Sequence, residues 1–495
     1  MKEMSEKQAK PSFGILIILM VGAFFTLLSN TLMNVAIPTI MKDFNLSAST
    51  VQWLTTGYML VNGILIPTTA FLINKYTVRR LFLIAIGLFT TGTVIAGFAP
   101  SFALLMTGRV VQASGSAIMM PLLMNYFYTT FPPEKRGSAM GMLGLVLIFA
   151  PAVGPTLSGW VLQHYDWPML FHMITPVMVL VWILGFIKLH DTKDKTEDKI
   201  DILSVITSAF GFGGILYGFS YAGDKGWGSS IVYVSLAVGV VGLVLLIFRQ
   251  LRLDKPMLDF KIYKHKRFAL SSGIQVVLNM SMYSAMILMP IYLQNIRGIS
   301  AFDSGLLLLP GAILMGIMSP ITGRLFDKYG AKVLAIPGLA IVAATTFLFS
   351  HLTDSTSYAH LIFLYSARMF GISMVMMPIT TNGLNSLPAK SIPHGTAMNS
   401  TLTQVSGAIG SSLLVTVMSN RTITHAGEMM TDALSKLTTP TAAAIAQIKQ
   451  HVGLEATIAG INDSFLAGTG LAIVALILTF FINRRGAIQK GKEAN

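Results

Sequence analysis

Long runs of apolar residues alternate along the chain with short clusters of charged and polar ones, and the runs recur at the length of a bilayer-crossing helix. A hydrocarbon core of about 30 Å needs about 20 largely apolar residues in helical form. Fourteen windows meet that requirement: Phe13 to Val35, Val51 to Ile73, Leu81 to Phe98, Phe102 to Tyr126, Gly137 to Leu162, Met169 to Leu189, Ile202 to Tyr221, Ile231 to Phe248, Phe268 to Leu293, Ser304 to Leu325, Val333 to Phe349, Tyr358 to Leu384, Thr396 to Met418 and Phe465 to Ile482. The pattern predicts an all-α integral membrane protein with 14 transmembrane helices. The first run exceeds the apolar region of a secretory signal and has no small-residue cleavage site, so it reads as a helix.

Composition agrees with this reading. Hydrophobic residues make up 53% of the chain and charged residues 11%, whereas a soluble domain carries about a quarter of its residues charged. The formal charge of +14 invites a polyanion-binding reading. A nucleic-acid binder, however, gathers its Lys and Arg on one face of a water-soluble module. Here they sit in short clusters between apolar runs, so no nucleic-acid partner is expected and the clusters read as topology signals. With both termini and the even-numbered connections on one side, that side holds 27 of the 35 Lys and Arg. The other side holds 6, and Arg109 and Arg368 lie within spans. Both termini are therefore expected to be cytoplasmic, with the chain spanning the cell membrane. Cys is absent, which excludes disulfides, Cys-ligated metals and thiol nucleophiles.

The chain also repeats itself at about half its length. Gly323-Arg-Leu-Phe-Asp327-Lys-Tyr-Gly330-Ala-Lys332, after the tenth span, matches Ala70-Phe-Leu-Ile-Asn74-Lys-Tyr-Thr77-Val-Arg79, after the second, at an offset of 253. Leu105-Met-Thr-Gly-Arg109 matches Leu364-Tyr-Ser-Ala-Arg368 at 259. Two six-helix halves related by a parallel repeat, with spans seven and eight inserted between them, account for both matches. The expected organisation is a cytoplasmic tail over 1–12, an N-terminal half over 13–189, a charged linker over 190–201, the inserted pair over 202–248, a cytoplasmic loop over 249–267, a C-terminal half over 268–483 and a tail over 484–495. Within the last half, 420–463 reads as an extracellular loop carrying a short amphipathic helix over Thr441 to Val452.

These residues carry a family resemblance. The run at 323–332 resembles the signature loop of the major facilitator superfamily, and Leu105, Arg109, Gln112 and Gly115 are similar to its fourth-helix motif. Pro151 followed by Gly154-Pro155-x-x-Ser158-Gly159 resembles the fifth-helix motif of its drug antiporters. Asn34-Val-Ala-Ile-Pro38 and the division into six, two and six helices are similar to the fourteen-helix drug:H+ antiporter family, in the pattern of its lincomycin-resistance-type exporters. The resemblance implies the major facilitator fold and multidrug efflux of small amphipathic compounds by proton antiport and alternating access. It implies a monomer in contact with membrane lipid, a proton gradient as the energy source and no bound cofactor. A transporter of a native lipid or metabolite, carrying drugs incidentally and with or without proton coupling, fits the same residues. No Asp-x-Asp pair, His cluster or phosphate-binding loop marks an enzyme, a metal site or an ATP-driven pump.

Arg109 is the leading functional candidate, because a guanidinium inside a span is costly and is seldom kept without a partner or a pathway. Its alternative role is packing, with the guanidinium capping backbone carbonyls. Gln112 follows on the same helical face. Arg368, the repeat mate, is placed near the cytoplasmic end of its span with room to snorkel. The resemblance implies that Arg109 couples proton movement to conformational change and that Asp327 is a cytoplasmic latch, pairing with basic groups and helix dipoles. Asn74 stands where the family has Asp, so the C-terminal latch is expected to be the stronger, with Arg79, Gly323, Gly330 and Lys332 completing the gate motif. Pro151, Gly154, Pro155 and Gly159 are expected to bend the fifth helix and let it approach its neighbours.

Carboxylates fall in tails, loops or span ends, and the first-helix position where related transporters carry an acid is Ser29. Asp303 is the best remaining proton site, with an N-cap role beside Ser300 as its alternative; His172 is another titratable candidate. The first helix of each three-helix repeat is expected to line the substrate cavity, which selects Asn30, Asn34, Met119, Met120, Gln275, Asn279, Met280, Tyr283, Met286, Met374, Met376 and Met377. Flexible thioethers suit a pocket for differently shaped apolar molecules. The absence of a mid-span acid favours neutral or weakly acidic ligands.

Overall fold

The computed structural model describes residues 13–46, 48–132, 135–189, 201–435 and 442–482, and these are helical with no strand among them. The tails and residues 190–200 of the expected linker lie outside the described residues, as do the side chains of Asn34 and Pro151. In the N-terminal half the helices are α1 (Phe13–Asp43), α2 (Ala48–Leu65), α3 (Thr69–Lys75), α4 (Val78–Gly97), α5 (Phe102–Thr130), α6 (Arg136–His164), α7 (Met169–His172) and α8 (Ile174–Lys188). The inserted pair is α9 (Ile202–Lys225) and α10 (Ser230–Arg252). The remainder are α11 (Lys266–Ile291), α12 (Ala301–Tyr329), α13 (Ala331–Leu348), α14 (Tyr358–Ser373), α15 (Met376–Leu384), α16 (Ile392–Ser435) and α17 (Ala442–Phe480).

Local chemistry explains where these helices start and break. Thr77, Ser101, Ser300 and Ser357 accept backbone N–H bonds from the first turns of α4, α5, α12 and α14, satisfying donors that a helix start leaves orphaned. Gly330, at φ +81°, ends α12 and begins α13 in a conformation that side chains with a Cβ resist. Pro67 in a short 3-10 turn divides the second span into α2 and α3. By length and composition 12 helices among the described residues can cross a membrane. They do not include α5 and α6, each 29 residues long and packed within the bundle. In α5, Arg109, Gln112 and Asn125 dilute the apolar content. With these two helices the arrangement fits 14 spans.

The expected extracellular loop at 420–463 is corrected by the structure. Helix α16 continues to Ser435 and α17 begins at Ala442, so the described parts of the segment are two helices and residues 442–452 of the amphipathic stretch form the start of a 39-residue helix, with Thr441 outside the described residues. The reason is pairing between the two helices. Asp463 Oδ2 accepts from Arg421 Nε at 2.5 Å and lies 2.9 Å from His425 Nε2, while Asn462 bonds both the N–H and C=O of Leu352.

The two halves meet along two seams. Along the first, α6 packs against α12 for its full length, from Gly137 beside Gly323 through Gly144 beside Ser319 to Gly159 beside Phe302. A Cβ on Gly137 or Gly323 would collide with backbone across the seam. Along the second, α16 meets α3 and the Pro67 turn at the end carrying Phe13 and Ile482, and α9 inserts between α2 and α16 toward the other end. At the foot of the inserted pair, Arg249 donates to both Asp201 carboxylate oxygens at 2.6 and 2.7 Å. These bonds hold the Asp201 carboxyl well below its ordinary range, at about 2.

Candidate functional site

Arg109 is fully buried and gathers the N-terminal half around itself. Its Nε donates to the Leu54 carbonyl at 3.2 Å, Nη1 to Gln112 Oε1 at 2.6 Å and Nη2 to Asn30 Oδ1 at 3.4 Å. Its guanidinium carbon sits 4.1 Å from the centroid of the Tyr58 ring. Gln112 passes the connection on through Nε2 to Ser29 Oγ at 3.0 Å and Thr93 Oγ1 at 2.8 Å. The charge is therefore held by neutral acceptors and a π face from α1, α2, α4 and α5. No carboxylate among the described residues contacts it. Such a cage compensates the desolvation of a buried cation while leaving its charge available to neighbouring helices.

The C-terminal half repeats the device. Arg368 on α14 is also fully buried, which corrects the expectation that it snorkels at the cytoplasmic end of its span. It lies 10 residues into that span from the opposite end, and its partners hold it there. Nε donates to Thr346 Oγ1 at 3.1 Å, and Nη2 donates to the Ser281 carbonyl at 2.9 Å and Ser284 Oγ at 3.3 Å. Thr93 and Thr346, and likewise Ser29 and Ser284, stand at offsets of 253 and 255, the spacing of the sequence repeat. Sequence reasoning missed all four partners, although the repeat offset applied to every buried hydroxyl would have found them.

At the terminus-bearing end, Asp327 caps α6. Its Oδ1 accepts the Gly137 N–H and Oδ2 the Ser138 N–H, both at 2.8 Å, placing a carboxylate on a helix N-terminus from the other half of the molecule. Arg136 Nη1 donates to Asn385 Oδ1 at 3.2 Å across the same junction. Lys332 Nζ donates to the Phe480 carbonyl at 2.5 Å, and Arg79 Nη2 to the Phe186 carbonyl at 3.1 Å. These repeat mates each place a cation on a helix C-terminus within their own half. Asn74 lies in the last turn of α3, which ends at Lys75 at this same face.

The remaining predicted residues separate. Asp303 is exposed in the first turn of α12, where Ser300 caps its N–H at 3.0 Å and donates to its carboxylate at 2.7 Å. Gly154 backs onto Thr31 of α1, and Ser158 donates to the Leu32 carbonyl at 2.9 Å, with Pro155 between them in a continuous α6. Met119, expected in the cavity, is sealed into the core against Gly22, and Met377 is buried beside Gly144 in the α6–α12 seam. Met374, also expected there, packs against Gly338 of α13 where α14 gives way to α15. Gln275 and Asn279 are buried, with Asn279 Nδ2 3.5 Å from Thr403 Oγ1, and Asn30 is spent on Arg109.

A cavity of about 480 Å³ lies elsewhere, between α2 and α16 in the part of the bundle away from the termini. Of the residues the sequence singles out, Tyr283 and Met286 of α11 line this cavity, and Thr55, Met59, Tyr217, Gln404 and Ser412 come from helices not chosen. Among the described residues, none of its lining side chains is charged.

Comparison with known proteins follows the same lines. The sequence profile described as Major Facilitator Superfamily matches residues 19–411. The lincomycin resistance protein LmrB of Listeria monocytogenes is 43% identical, covering 94% of this chain and 95% of its own length. The multidrug export protein EmrB of Escherichia coli is 26% identical over 96% of this chain and 97% of its own. Among solved structures, the human organic anion transporter MFSD10 superposes with a TM-score of 0.68 at 11% identity, covering 95% of this chain and 99% of that one.

Proposed function

Since the chain belongs to the Major Facilitator Superfamily, we propose that it is a secondary active exporter of small amphipathic compounds, driven across the cell membrane by proton antiport. The observation that carries the reading is the unequal closure of the two halves. Asp327 and Arg136 tie α6 to α12 and α15 at the terminus-bearing end, while a cavity remains between the halves toward the other end. With the termini cytoplasmic, as the excess of Lys and Arg on that side supports, this is a transporter shut toward the cytoplasm and facing outward. Rocking the halves about the α6–α12 seam would break the Asp327 cap and expose the cavity to the cytoplasm.

Within this cycle Arg109 and Arg368 act as charged pivots. Each is held by acceptors on several helices, so a shift of α1 or α2 against α5 must exchange hydrogen bonds to the guanidinium rather than stretch them continuously. Among the described residues, a cavity without charged lining and arginines without an acid in contact support neutral or weakly acidic substrates over dications. Cells producing the chain, challenged with lincosamide-like, phenicol-like, quinolone and bis-quaternary ammonium compounds, should accumulate less of the first three classes alone. Selective export of the dications overturns the substrate class, and unchanged accumulation of every compound overturns the exporter reading.

A further inference from the structure

The sequence repeat leaves α9 as an insertion outside both six-helix halves, yet the structure builds it into the wall of the cavity. Gly63 of α2 leaves the space that the Leu216 side chain fills, and a Cβ there would collide with Leu216 Cδ1. Tyr217 packs on Trp53 of α2 at 5.5 Å between ring centroids and stacks on Tyr221 at 4.7 Å. On the other side, Trp227 just beyond α9 donates through Nε1 to Thr416 Oγ1 of α16 at 2.8 Å. The helix is thus fastened to both halves, and Leu216, Tyr217 and Ser220 face the space between them.

We propose that α9 is a specificity-determining wall of the ligand site, and that the site it completes binds an uncharged lipophile bearing a hydroxyl or carbonyl oxygen. This rests on the exporter reading for its physiological meaning, but the binding site stands on its own geometry. Met59, Leu60, Leu216 and Met286 offer an adaptable apolar surface. Ser412 lines the same cavity, is 3% exposed, and its Oγ has no hydrogen-bond partner; a buried hydroxyl left in this way is a donor for a ligand oxygen. Tyr283 also lines the cavity and packs on Gly407 through the hydroxyl-bearing end of its ring, adding a second hydroxyl. A volume of about 480 Å³ falls within the ~300–1,000 Å³ of pockets for drug-sized molecules. Among the described residues no lining charge is present to meet an ammonium or a carboxylate.

The test uses the full chain in lipid nanodiscs and a neutral aryl-diazirine probe carrying one hydroxyl on an alkyl chain, with its quaternary ammonium counterpart. Saturable labelling by the alcohol is expected on residues 216–220 and 404–415, competed by unlabelled alcohol, with at least tenfold less from the ammonium probe. Leu216→Trp, which fills the cavity, should cut this labelling tenfold or more. Val240→Trp on the exposed face of α10 should leave it unchanged. Tyr283→Phe should weaken the hydroxyl probe about fivefold and leave its deoxy analogue unaffected. Labelling that does not saturate, that maps to other helices, that is equal for the ammonium probe or that ignores Leu216→Trp overturns the proposal. Labelling requires no gradient and no turnover. A chain that labels as expected without exporting loses only the exporter reading, and one that exports while labelling elsewhere loses only this one.

Discussion

At the scale of single residues, the two buried arginines carry most of the argument, and they differ in how well their partners are arranged. Arg109 is satisfied on all three nitrogens. Arg368 has a buried Nη1 with no hydrogen-bond partner. Arg109→Lys keeps the charge but cannot span Leu54, Gln112 and Asn30 at once, so efflux should fall about tenfold or more while the protein still inserts, as measured by transport per molecule of purified protein. Thr346→Val removes the acceptor of Arg368 Nε, leaving a second guanidinium nitrogen unpaired at a cost of about 1–3 kcal/mol. Thr93→Val leaves Gln112 bonded to Ser29, so thermal unfolding in detergent should show the larger fall for Thr346→Val. A third residue-scale prediction concerns pH. Arg249 lowers the folded-state pKa of Asp201 from 3.8 to about 2, so the bridge stabilises the fold above the unfolded value and loses its effect as pH falls through the folded one. Asp201→Asn should therefore lower the melting temperature at pH 7, by the equivalent of about 1 kcal/mol or less for a partly exposed pair, and the difference should vanish as pH falls from about 4 toward 2.

At the scale of helices, the Asp327 cap lies at one end of a seam that runs the full length of α6, and the proposed cycle makes it the contact that biases closure at the terminus-bearing end. An Asn at 327 offers one carbonyl oxygen and no charge to two N–H donors, a loss of about 1 kcal/mol. That change shifts a two-state balance about fivefold. The chain has no native Cys, so a single cysteine at Ser386, placed at the terminus-bearing junction, should react with an impermeant maleimide about five times faster in the Asp327→Asn background. Unchanged reactivity would show that the cap does not bias the closure. Much of this scale is readable from the sequence. The apolar windows anticipate the helices, and the 323–332 run marks the capping loop because Asp327, Gly330 and Lys332 keep fixed spacing. Pro378 marks the break between α14 and α15 at Met374 and Val375, because it has no N–H to give the Met374 carbonyl four residues back. Other features had no local signal. The 420–463 segment reads as a loop because its helices are held by pairs such as Arg421 with Asp463, 42 residues apart, rather than by an apolar run. The cavity escaped for the same reason: a pocket is a property of which helices meet, and Leu216 earns its place only because Gly63 stands opposite it.

At the scale of the whole molecule, two halves are tied at one end, a cavity lies toward the other, and each half holds a buried cation that no acid among the described residues contacts. The excess of basic residues supports the expected orientation, and the repeat marks the two six-helix units that the proposed cycle moves against each other. Neither identifies the group that carries the proton, and Asp303, the acid the sequence singles out, is exposed in a helix cap. Proton coupling is therefore the claim on which the mechanism depends most. It is tested most directly by transport of a neutral lipophilic substrate in proteoliposomes of the parent chain under an imposed pH gradient. Antiport predicts that the substrate accumulates on the acidic side, that collapsing the gradient removes the accumulation, and that Arg109→Ala abolishes it in protein that still unfolds cooperatively. Transport at the same rate and to the same level with and without the gradient would contradict it.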